Sequence, residues 1–358
     1  MTIAVTEMAV TKMNGAEQDA VSVPPFAVVP GAQVHRMLDG ARQDVIGIVE
    51  DAYRVHGAGA TVNPPSYFLR FPDRPTSRII ALPASVGGDI GVDGIKWISS
   101  FPENVEHGIP RASAVLILND RRTGYPIACL EASIISAART AASAALAART
   151  LTAGRRTPRR LGIIGAGLIS RYVYEYLAAD GWMFDRIGIH DLSATHARGL
   201  GERIERDGTG VEVHDSAESL IRSSDLVVFA TVAATPHIDE PAWFEHGPLV
   251  LHVSLRDLAP SIILRAANYV DDIDHCLRAG TSVHLTEQQT GNRDFLDGTL
   301  YDVLTGTARP PATGTVVFSP FGLGVLDLAV AKFVHDRAAH AGELATVDGF
   351  FHELRRHG

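Results

Sequence analysis

The sequence of 358 residues predicts an α/β fold, in which a doubly wound parallel sheet is joined to a discontinuous α+β unit. Two observations favour the parallel sheet. Short apolar runs, typical of buried parallel strands, alternate with helical segments between residues 153 and 316. One of these runs ends in closely spaced glycines. A third observation, several strand-like runs separated by Pro- and Gly-rich turns between residues 25 and 152, indicates the second unit.

The glycine-rich turn is the most informative motif. Residues 160–164 predict a buried strand, and Gly165-Ala166-Gly167 then turns into an amphipathic helix predicted over residues 168–179. Gly165 permits a tight turn, and Gly167 lets a pyrophosphate approach the free N–H groups that begin the helix. Ser170 stands where the dinucleotide-binding fingerprint has a third Gly or Ala, which weakens the match.

An acidic residue at the end of the next strand extends this motif. Residues 186–191 predict that strand, and Asp191 closes it 26 residues after Gly165. A carboxylate there accepts hydrogen bonds from an adenosine ribose and repels a 2′-phosphate. Because no arginine follows immediately, the pattern favours NAD over NADP. Further strands are predicted at 225–231 and 249–254, with helices at 193–206 and 217–223, which completes a Rossmann-type sheet. The alternative is an α/β domain that binds no nucleotide.

Bulk composition excludes several classes of function. With 46% hydrophobic and 20% charged residues the chain is typical of a soluble globular protein, and its net charge of −9 argues against nucleic acid or an anionic membrane as a partner. Cys129 and Cys276 lie in apolar or helical settings, which predicts a reduced, cytoplasmic protein. No signal-peptide pattern or membrane-span length of apolar sequence is evident. Residues 1–24 predict a flexible tail.

The region before the glycine motif predicts a second, α+β unit. Residues 34–57 have helical spacing, and a second, Ala-rich helix is predicted over 134–151. About five strands of a mixed or antiparallel sheet are predicted between the helices, at 67–71, 78–83, 94–100, 114–119 and 126–131. A strongly apolar helix near the C-terminus is expected to cross back onto them. The domain therefore comprises residues 25–152 and 317–358, around an NAD-binding domain at 153–316.

Four charged residues lie in apolar or small-residue surroundings, where a charge is costly unless it has a role. They are Arg70, Lys96, Arg139 and Asp257. Arg70 could instead be a solvated strand end, Lys96 a side chain that snorkels from a half-buried strand, and Arg139 a partner in an interhelical ion pair. Asp257 follows a predicted parallel strand, at the edge where ligands bind in such sheets, but it could also be a turn or helix-capping residue before Pro260.

These residue types indicate a substrate with several carboxylates. Arginine offers a planar fork that binds a carboxylate with two hydrogen bonds, and lysine offers a compact charge. A carboxylate such as Asp257 can serve as a general base. The sequence shows neither metal-ligand spacing nor a serine nucleophile elbow, so no metal is predicted. His252, inside a predicted buried strand, is interpreted as a satisfied core residue.

Together these residues resemble the ornithine cyclodeaminase/μ-crystallin family over about residues 25–333. The motifs are Gly-Ile-Lys96-Trp97, the helix around Arg139, the glycine turn, Ala230-Thr231 and the loop bearing Asp257. The resemblance implies that Arg70, Lys96 and Arg139 bind substrate carboxylates, and that Asp257, together with Lys96, is catalytic. It further implies that residues 25–152 and 317–358 form the substrate-binding and dimerisation domain, with a homodimer formed through its sheet. The implied NAD-binding residues are Gly165, Ala166, Gly167, Leu168, Ile169, Asp191, Thr231 and Ser254.

Departures from the family pattern point to one branch. True ornithine cyclodeaminases carry a Gly-Gly-Asp-Cys-Pro-Gly-like stretch around the catalytic aspartate, whereas this chain has Ser254-Leu-Arg-Asp257-Leu-Ala-Pro260. That stretch and residues 96–104 resemble NAD-dependent enzymes that hydrolyse N-((2S)-2-amino-2-carboxyethyl)-L-glutamate oxidatively. Their products are 2-oxoglutarate, NADH and 2,3-diaminopropionate, a precursor of siderophores and peptide antibiotics.

Other interpretations remain open. The chain could be a cyclodeaminase, a ketimine reductase or a μ-crystallin-like binding protein. Arg256 could assist in binding substrate. Glu103 and Asn104 follow the turn-prone Pro102, and either line the pocket or form a surface loop.

Overall fold

A computed structural model describes residues 22–206 and 208–352. The predicted tail, residues 1–24, therefore lies almost wholly outside the described residues. The strands that precede the glycine motif are Ala27–Val29 (β1), Thr61–Val62 (β2), Tyr67–Phe71 (β3), Arg74–Val86 (β4), Val92–Ser100 (β5), Ala112–Asn119 (β6) and Pro126–Glu131 (β7). The helices of this region are Gly31–Leu38 (α1), Arg42–Gly57 (α2) and Ser133–Leu151 (α3), with a 3-10 turn at Pro102–His107.

The first sheet has a mixed topology. Its strands β7, β6, β5 and β4 run antiparallel to one another in that order, while β1 adds to β7 in parallel. Strands β2 and β3 both pair with β4. The five predicted strands are present with small shifts in their bounds, and β1 and β2 were not predicted because runs of two or three residues carry too little alternation.

The prediction of one continuous helix over residues 34–57 is wrong. The structure divides it into α1 and α2, because Asp39 leaves the helical conformation with an extended backbone (φ −66°, ψ 132°). Apolar residues on both sides of this break, among them Val34 and Val45, are fully buried. The apolar residues of the two helices pack into the same core, and their combined spacing along the sequence is therefore that of one continuous helix.

The glycine motif begins a second sheet in which every strand pair is parallel. Its strands are Arg160–Ile164 (β8), Arg186–His190 (β9), Val211–Val213 (β10), Leu226–Phe229 (β11), Leu249–His252 (β12), Ala267–Val270 (β13), Leu296–Thr299 (β14) and Val316–Ser319 (β15). The intervening helices are Leu168–Ala179 (α4), Ala194–Glu205 (α5), Ala217–Ser223 (α6), Pro260–Ile263 (α7), Ile273–Cys276 (α8), Ser282–Thr290 (α9) and Leu300–Thr305 (α10). The spatial order, β10-β9-β8-β11-β12-β15-β13-β14, reverses direction beside β8 and so defines the doubly wound fold.

The C-terminal segment returns to the first sheet. Helix Gly324–His340 (α11) packs on β4, β5 and α2, and the short strand Ala345–Thr346 (β16) pairs with β1. The buried residues of α11 are apolar except for one acidic residue, Asp327, which is buried with them. Strand β15 spans the predicted domain boundary between residues 316 and 317. The buried run Val316–Ser319 belongs to the parallel sheet, which therefore continues to Ser319. Among the described residues, none of the helices combines the length and the apolar character that crossing a bilayer requires.

Candidate active site

Residues of both sheets line a cleft of about 440 Å³. The first sheet contributes Arg70, Arg78 and Lys96 from β3, β4 and β5, and α3 contributes Arg139. The opposite wall consists of residues 232–234 and 255–256, from the loops that follow β11 and β12. These loops lie at the carboxyl edge of the parallel sheet, where such sheets bind ligands. The structure therefore brings three of the four predicted site residues, Arg70, Lys96 and Arg139, to the wall of one cleft.

The inner end of the cleft is a buried charge triad. Asp327 on α11 accepts hydrogen bonds from Lys96 Nζ at 2.7 Å and from Arg139 Nε at 3.1 Å. The side chain of Lys96 is 2% exposed and that of Asp327 is fully buried. Burial lowers the pKa of Lys96 to about 8, although the neighbouring Asp327 carboxylate opposes part of that shift. The alternative of a snorkelling Lys96 is therefore wrong, whereas the interhelical ion pair considered for Arg139 is present.

Asp327 was missed by the sequence analysis, although the sequence held a signal for it. It is the one acidic residue in the apolar run Val325–Ala331 and is as isolated there as Arg139 is in its alanine-rich helix. Because one carboxylate faces two cations, the triad keeps a net positive charge whenever Lys96 is protonated. The inner end can therefore still attract a carboxylate.

A backbone turn at residues 321 and 322 packs against the guanidinium of Arg139. Any side chain at Gly322 would collide with the guanidinium, since a Cβ built there lies 2.4 Å from its Nη1. The N–H groups of Phe321 and Gly322 donate to the buried carboxylate of Asp271, at 2.9 and 2.7 Å. This anchored turn fixes one side of the space that Arg139 occupies.

The outer end of the cleft is a cluster of arginines, which we call the outer arginine cluster: Arg70, Arg78 and Arg256. Arg70 and Arg78 face each other directly across β3 and β4. Burial, together with repulsion from Arg70, lowers the pKa of Arg78, and the same causes, with Arg78 added, lower that of Arg256. Within the described residues, none of the three forms an ion pair. Arg78 was not predicted as a site residue, because its position at the start of a predicted strand carries no signal of a charge in apolar surroundings.

Arg256 is fixed by backbone that adopts an uncommon conformation. Its Nη2 and Nε donate to the carbonyl of Ala279 at 2.8 and 3.2 Å. Across the described part of the chain, Ala279 and Leu255 are the two non-glycine residues with positive φ, 54° and 73°. One precedes Arg256 and the other receives its hydrogen bonds. Such strain tends to mark functional loops, and here it places Arg256 at the cleft wall.

Asp257 lies beneath this wall and is fully buried. Its Oδ1 accepts hydrogen bonds from Thr231 Oγ1 at 2.5 Å and from His237 Nε2 at 3.1 Å, and its Oδ2 accepts one from Ser254 Oγ. Burial alone would raise the pKa of Asp257, but the hydrogen bonds from the hydroxyl groups of Ser254 and Thr231 lower it below its usual range. These contacts favour the anionic form of the carboxylate. The capping alternative is not observed, because α7 is capped by Ala259.

His252 is the buried neighbour of this carboxylate. It is fully buried in β12, its Nε2 accepts the backbone N–H of Asp257 at 3.1 Å, and its Nδ1 lies 3.2 Å from Ser319 Oγ. It is thus a core residue with satisfied hydrogen bonds, as predicted. Its contact with Asp257 was not predicted, because the two meet only through the turn at residues 253–256.

The glycine turn matches the backbone requirements of a dinucleotide site. Gly165 has a φ of +90°, and a Cβ there would lie 2.7 Å from the carbonyl oxygen of Ala230. A Cβ at Gly167 would meet nothing within 4 Å, which leaves open space before α4. Among the residues that the structure describes, no side chain caps the N–H groups that begin this helix, so they can receive an anion. Ser170 is buried and donates to the carbonyl of Gly165, which explains how serine replaces the fingerprint's third small residue.

The predicted ribose-binding residue is attached to the same turn. Asp191 Oδ2 accepts the N–H of Ala166 at 2.7 Å, and its Oδ1 accepts the N–H of Ser193 at 2.7 Å. Leu168 at the start of α4 is exposed beside it and Ile169 is partly buried. The hydroxyls of Thr231 and Ser254 point instead at Asp257, so their predicted contact with a cofactor would have to use other atoms. Within the described ranges, no group of three or more His, Cys, Asp or Glu side chains could hold a metal ion.

Fold and site together define a dinucleotide-binding α/β protein with a strongly cationic substrate cleft. Comparison with known sequences gives the family: residues 32–342 match the sequence model of the ornithine cyclodeaminase/mu-crystallin family, and the chain belongs to it.

Three similar proteins illustrate the relationship. The chain is 28% identical over 306 residues to an N-((2S)-2-amino-2-carboxyethyl)-L-glutamate dehydrogenase of Staphylococcus aureus (strain NCTC 8325 / PS 47), covering 83% of this chain and 90% of that protein. The solved structure of CmnK is 30% identical with a TM-score of 0.83, covering 92% of this chain and 100% of that one. An archaeal alanine dehydrogenase dimer with bound NAD is 24% identical with a TM-score of 0.81, covering 91% and 99%, and shares the fold.

Proposed function

We propose that the protein catalyses the NAD-dependent oxidative hydrolysis of N-((2S)-2-amino-2-carboxyethyl)-L-glutamate. The observation that carries the proposal is the outer arginine cluster, whose charges have no acidic partner among the described residues. In a chain with a net charge of −9, such a cluster is costly unless a bound anion neutralises it. The inner triad adds a second cationic site in the same cleft.

The charges of the candidate substrates separate the possible reactions. The proposed substrate carries three carboxylates, and two separated cationic sites suit a molecule with negative charge at both ends. Ornithine carries one carboxylate and a side-chain ammonium group, which the outer arginine cluster would repel. The arrangement therefore favours oxidative hydrolysis over cyclodeamination. The resemblance to the Staphylococcus aureus dehydrogenase supports the same choice.

The two ends of the cleft have distinct roles in this proposal. Lys96 and Arg139 hold the glutamyl α-carboxylate, while Arg70, Arg78 and Arg256 hold the remaining carboxylates. Clamping both ends positions the substrate's Cα–H for reaction, an effect that can lower the barrier by about 7 kcal/mol or more. The negative charge of Asp257 supports the acid–base chemistry at this carbon.

NAD is the cofactor that the glycine turn and Asp191 favour. When bound, it supplies the acceptor for the hydride that leaves the substrate. Gly165 and Gly167 would allow its pyrophosphate to approach the start of α4, and Asp191 would receive the ribose hydroxyls while disfavouring a 2′-phosphate. Discrimination against NADP is therefore part of the proposal.

A homodimer formed through the first sheet is also part of the proposal. Trp97 and Val115 are opposed across β5 and β6, and each is 42% exposed on the face away from the helices. Tyr67 and Val28 extend this apolar face over neighbouring strands. A second copy related by a twofold axis would cover the same face on both chains. Replacing Trp97 by Arg should halve the mass measured by sedimentation, and an unchanged mass would contradict this interface.

A reducing, cytoplasmic location is the remaining part. Cys129 and Cys276 are both free, and the buried Cys276 Sγ lies 3.1 Å from both Asp271 Oδ1 and the carbonyl oxygen of Ser319, either of which can accept its one hydrogen. Burial raises its pKa well above the usual range, so it stays a thiol. Two free thiols and no disulfide between them are typical of a reducing compartment.

The reaction can be tested by measuring NADH absorbance after mixing the protein, NAD⁺ and N-((2S)-2-amino-2-carboxyethyl)-L-glutamate, with L-ornithine as a parallel substrate. We expect one NADH and one 2-oxoglutarate per substrate consumed, and no NADH with ornithine. If the proposed substrate gives no NADH while ornithine yields proline and ammonia, the protein is a cyclodeaminase. Replacing NAD⁺ by NADP⁺ should lower the rate strongly, and equal rates would remove the role of Asp191.

A further inference from the structure

The carboxylate of Asp257 is already saturated with contacts. It is fully buried and receives hydrogen bonds from Thr231, His237 and Ser254. A group whose anionic form is stabilised so strongly is a weak base, and no face of it remains open to a water molecule. Asp257 can act on the substrate only through one of its partners.

His237 is the most exposed of these partners. Its Nε2 lies 3.1 Å from Asp257 Oδ1, and its side chain is 45% exposed, whereas Asp257 is fully buried. It belongs to the loop whose residues 232–234 line the cleft. The loop is fastened at this point, because the N–H groups of His237 and Ile238 both donate to the carbonyl of Asp257, at 3.0 and 2.9 Å.

The geometry fixes the tautomer of this imidazole. An anionic carboxylate at Nε2 requires that nitrogen to carry the hydrogen, so in the neutral ring the lone pair is on Nδ1. Among the described residues, Nδ1 has no hydrogen-bond partner, and Asp257 is the one charged group in contact with the ring. His237 is therefore oriented by a buried carboxylate and free on its other nitrogen.

We propose that His237 is the catalytic acid–base residue of the hydrolytic half-reaction and that Asp257 is its positioning residue. This inference rests on the proposed function, in which hydride loss from the glutamyl Cα of the neutral secondary amine leaves an iminium ion. His237 Nδ1 takes a proton from water as the oxygen bonds to that carbon, giving a neutral carbinolamine. The imidazolium then returns the proton to the amine nitrogen. The C–N bond breaks, the hydroxyl proton passes to solvent, and 2-oxoglutarate and 2,3-diaminopropionate are released.

The inference is tested with His237→Ala, assayed with and without added imidazole. We expect kcat to fall about 100-fold or more, the usual contribution of a general acid–base group. The substrate KM and the Kd for NAD⁺, measured by fluorescence, should stay within about twofold. Imidazole should restore part of the lost kcat, because the cavity left by the ring borders the buried carboxylate. A purely structural loss of activity would not respond to imidazole.

Two further variants make the result decisive. Asp257→Asn should lose activity to a similar extent, and added imidazole should not restore it. In this variant the imidazole of His237 is still present, but no carboxylate orients it. His340→Ala removes an exposed histidine at the end of α11 and should be unchanged. If His237→Ala keeps more than a third of the normal kcat, or if imidazole has no effect, the inference is wrong. If the unmodified protein makes no NADH from the substrate, the proposed function fails instead.

Discussion

The two ends of the cleft differ in how their positive charges are neutralised. At the inner end Lys96 is buried, Arg139 is 12% exposed, and both share the carboxylate of Asp327. At the outer end Arg70, Arg78 and Arg256 are more exposed and have no acidic partner among the described residues. Both ends attract anions, but the inner one is neutralised in part by the protein while the outer one waits for the substrate.

This difference separates stability from specificity. A buried cation must be paired in the folded protein, so the inner triad is needed for the fold whether or not substrate is present. The outer arginines are partly hydrated, so the chain tolerates them unpaired. Mutations at the inner end should therefore affect folding and catalysis together, and those at the outer end should affect mainly substrate binding.

The largest expected effect follows from Asp327→Ala. Removing this carboxylate leaves Lys96 and Arg139 buried without a counter-charge, which should lower the free energy of unfolding by about 3–5 kcal/mol. Urea unfolding measures the change. The matched control is Asp336→Ala in the same helix, which breaks a partly exposed pair with Lys332 and should cost about 1 kcal/mol or less. Equal costs for the two variants would mean that the inner triad contributes nothing special to the fold.

A second prediction concerns Arg139→Ala, which removes one donor of the inner end and leaves the Lys96–Asp327 pair. We expect kcat/KM to fall about 100-fold, through both a higher KM and a lower kcat, because the glutamyl carboxylate loses a charged hydrogen bond. Steady-state NADH formation provides the measurement. An unchanged KM would show that Arg139 acts through Asp327 alone and does not clamp the substrate.

Much of the fold and of the cleft could be predicted from the sequence, because the features concerned are visible in short stretches of residues. Lys96, Arg139 and Asp257 each stood out as a charge in apolar surroundings, and the glycine turn with Asp191 carried its own spacing. The second sheet was predictable because buried parallel strands are short apolar runs. Strand bounds such as Tyr67–Phe71 and Pro126–Glu131 agree with the predicted ranges.

The rest depends on tertiary contacts. Arg78 becomes a site residue only when β3 places Arg70 opposite it. His237 lies in an irregular loop without any periodic pattern, and its role appears only when Asp257 is found buried at its side. Asp327 needed no tertiary information to be noticed, since it is isolated in an apolar helix, but its two partners lie on β5 and α3, far away in sequence.

The third prediction uses the lowered pKa of Lys96. The ammonium form binds the carboxylate, so kcat/KM should fall as pH rises through about 8, approaching tenfold per pH unit beyond it. The direction follows because burial favours the neutral amine, so the charge is lost at a lower pH than for an exposed lysine. Lys96→Arg should abolish this decline, since a guanidinium stays charged, although overpacking will lower the rate. A decline that persists in Lys96→Arg would assign it to another group.

The smallest effect on folding is expected for Arg78→Gln, and it sharpens the comparison most. Removing one arginine from the outer cluster relieves repulsion with Arg70 across the strands, so stability should be unchanged or rise by about 0.5 kcal/mol. The KM for the three-carboxylate substrate should nevertheless rise about tenfold, with kcat less affected, because a charge that binds substrate is lost. Urea unfolding and NADH formation, measured on the same preparation, give both quantities. A loss of stability without a change in KM would place Arg78 among the structural residues, and would leave Arg70 and Arg256 as the cations that select a substrate with negative charge at its far end.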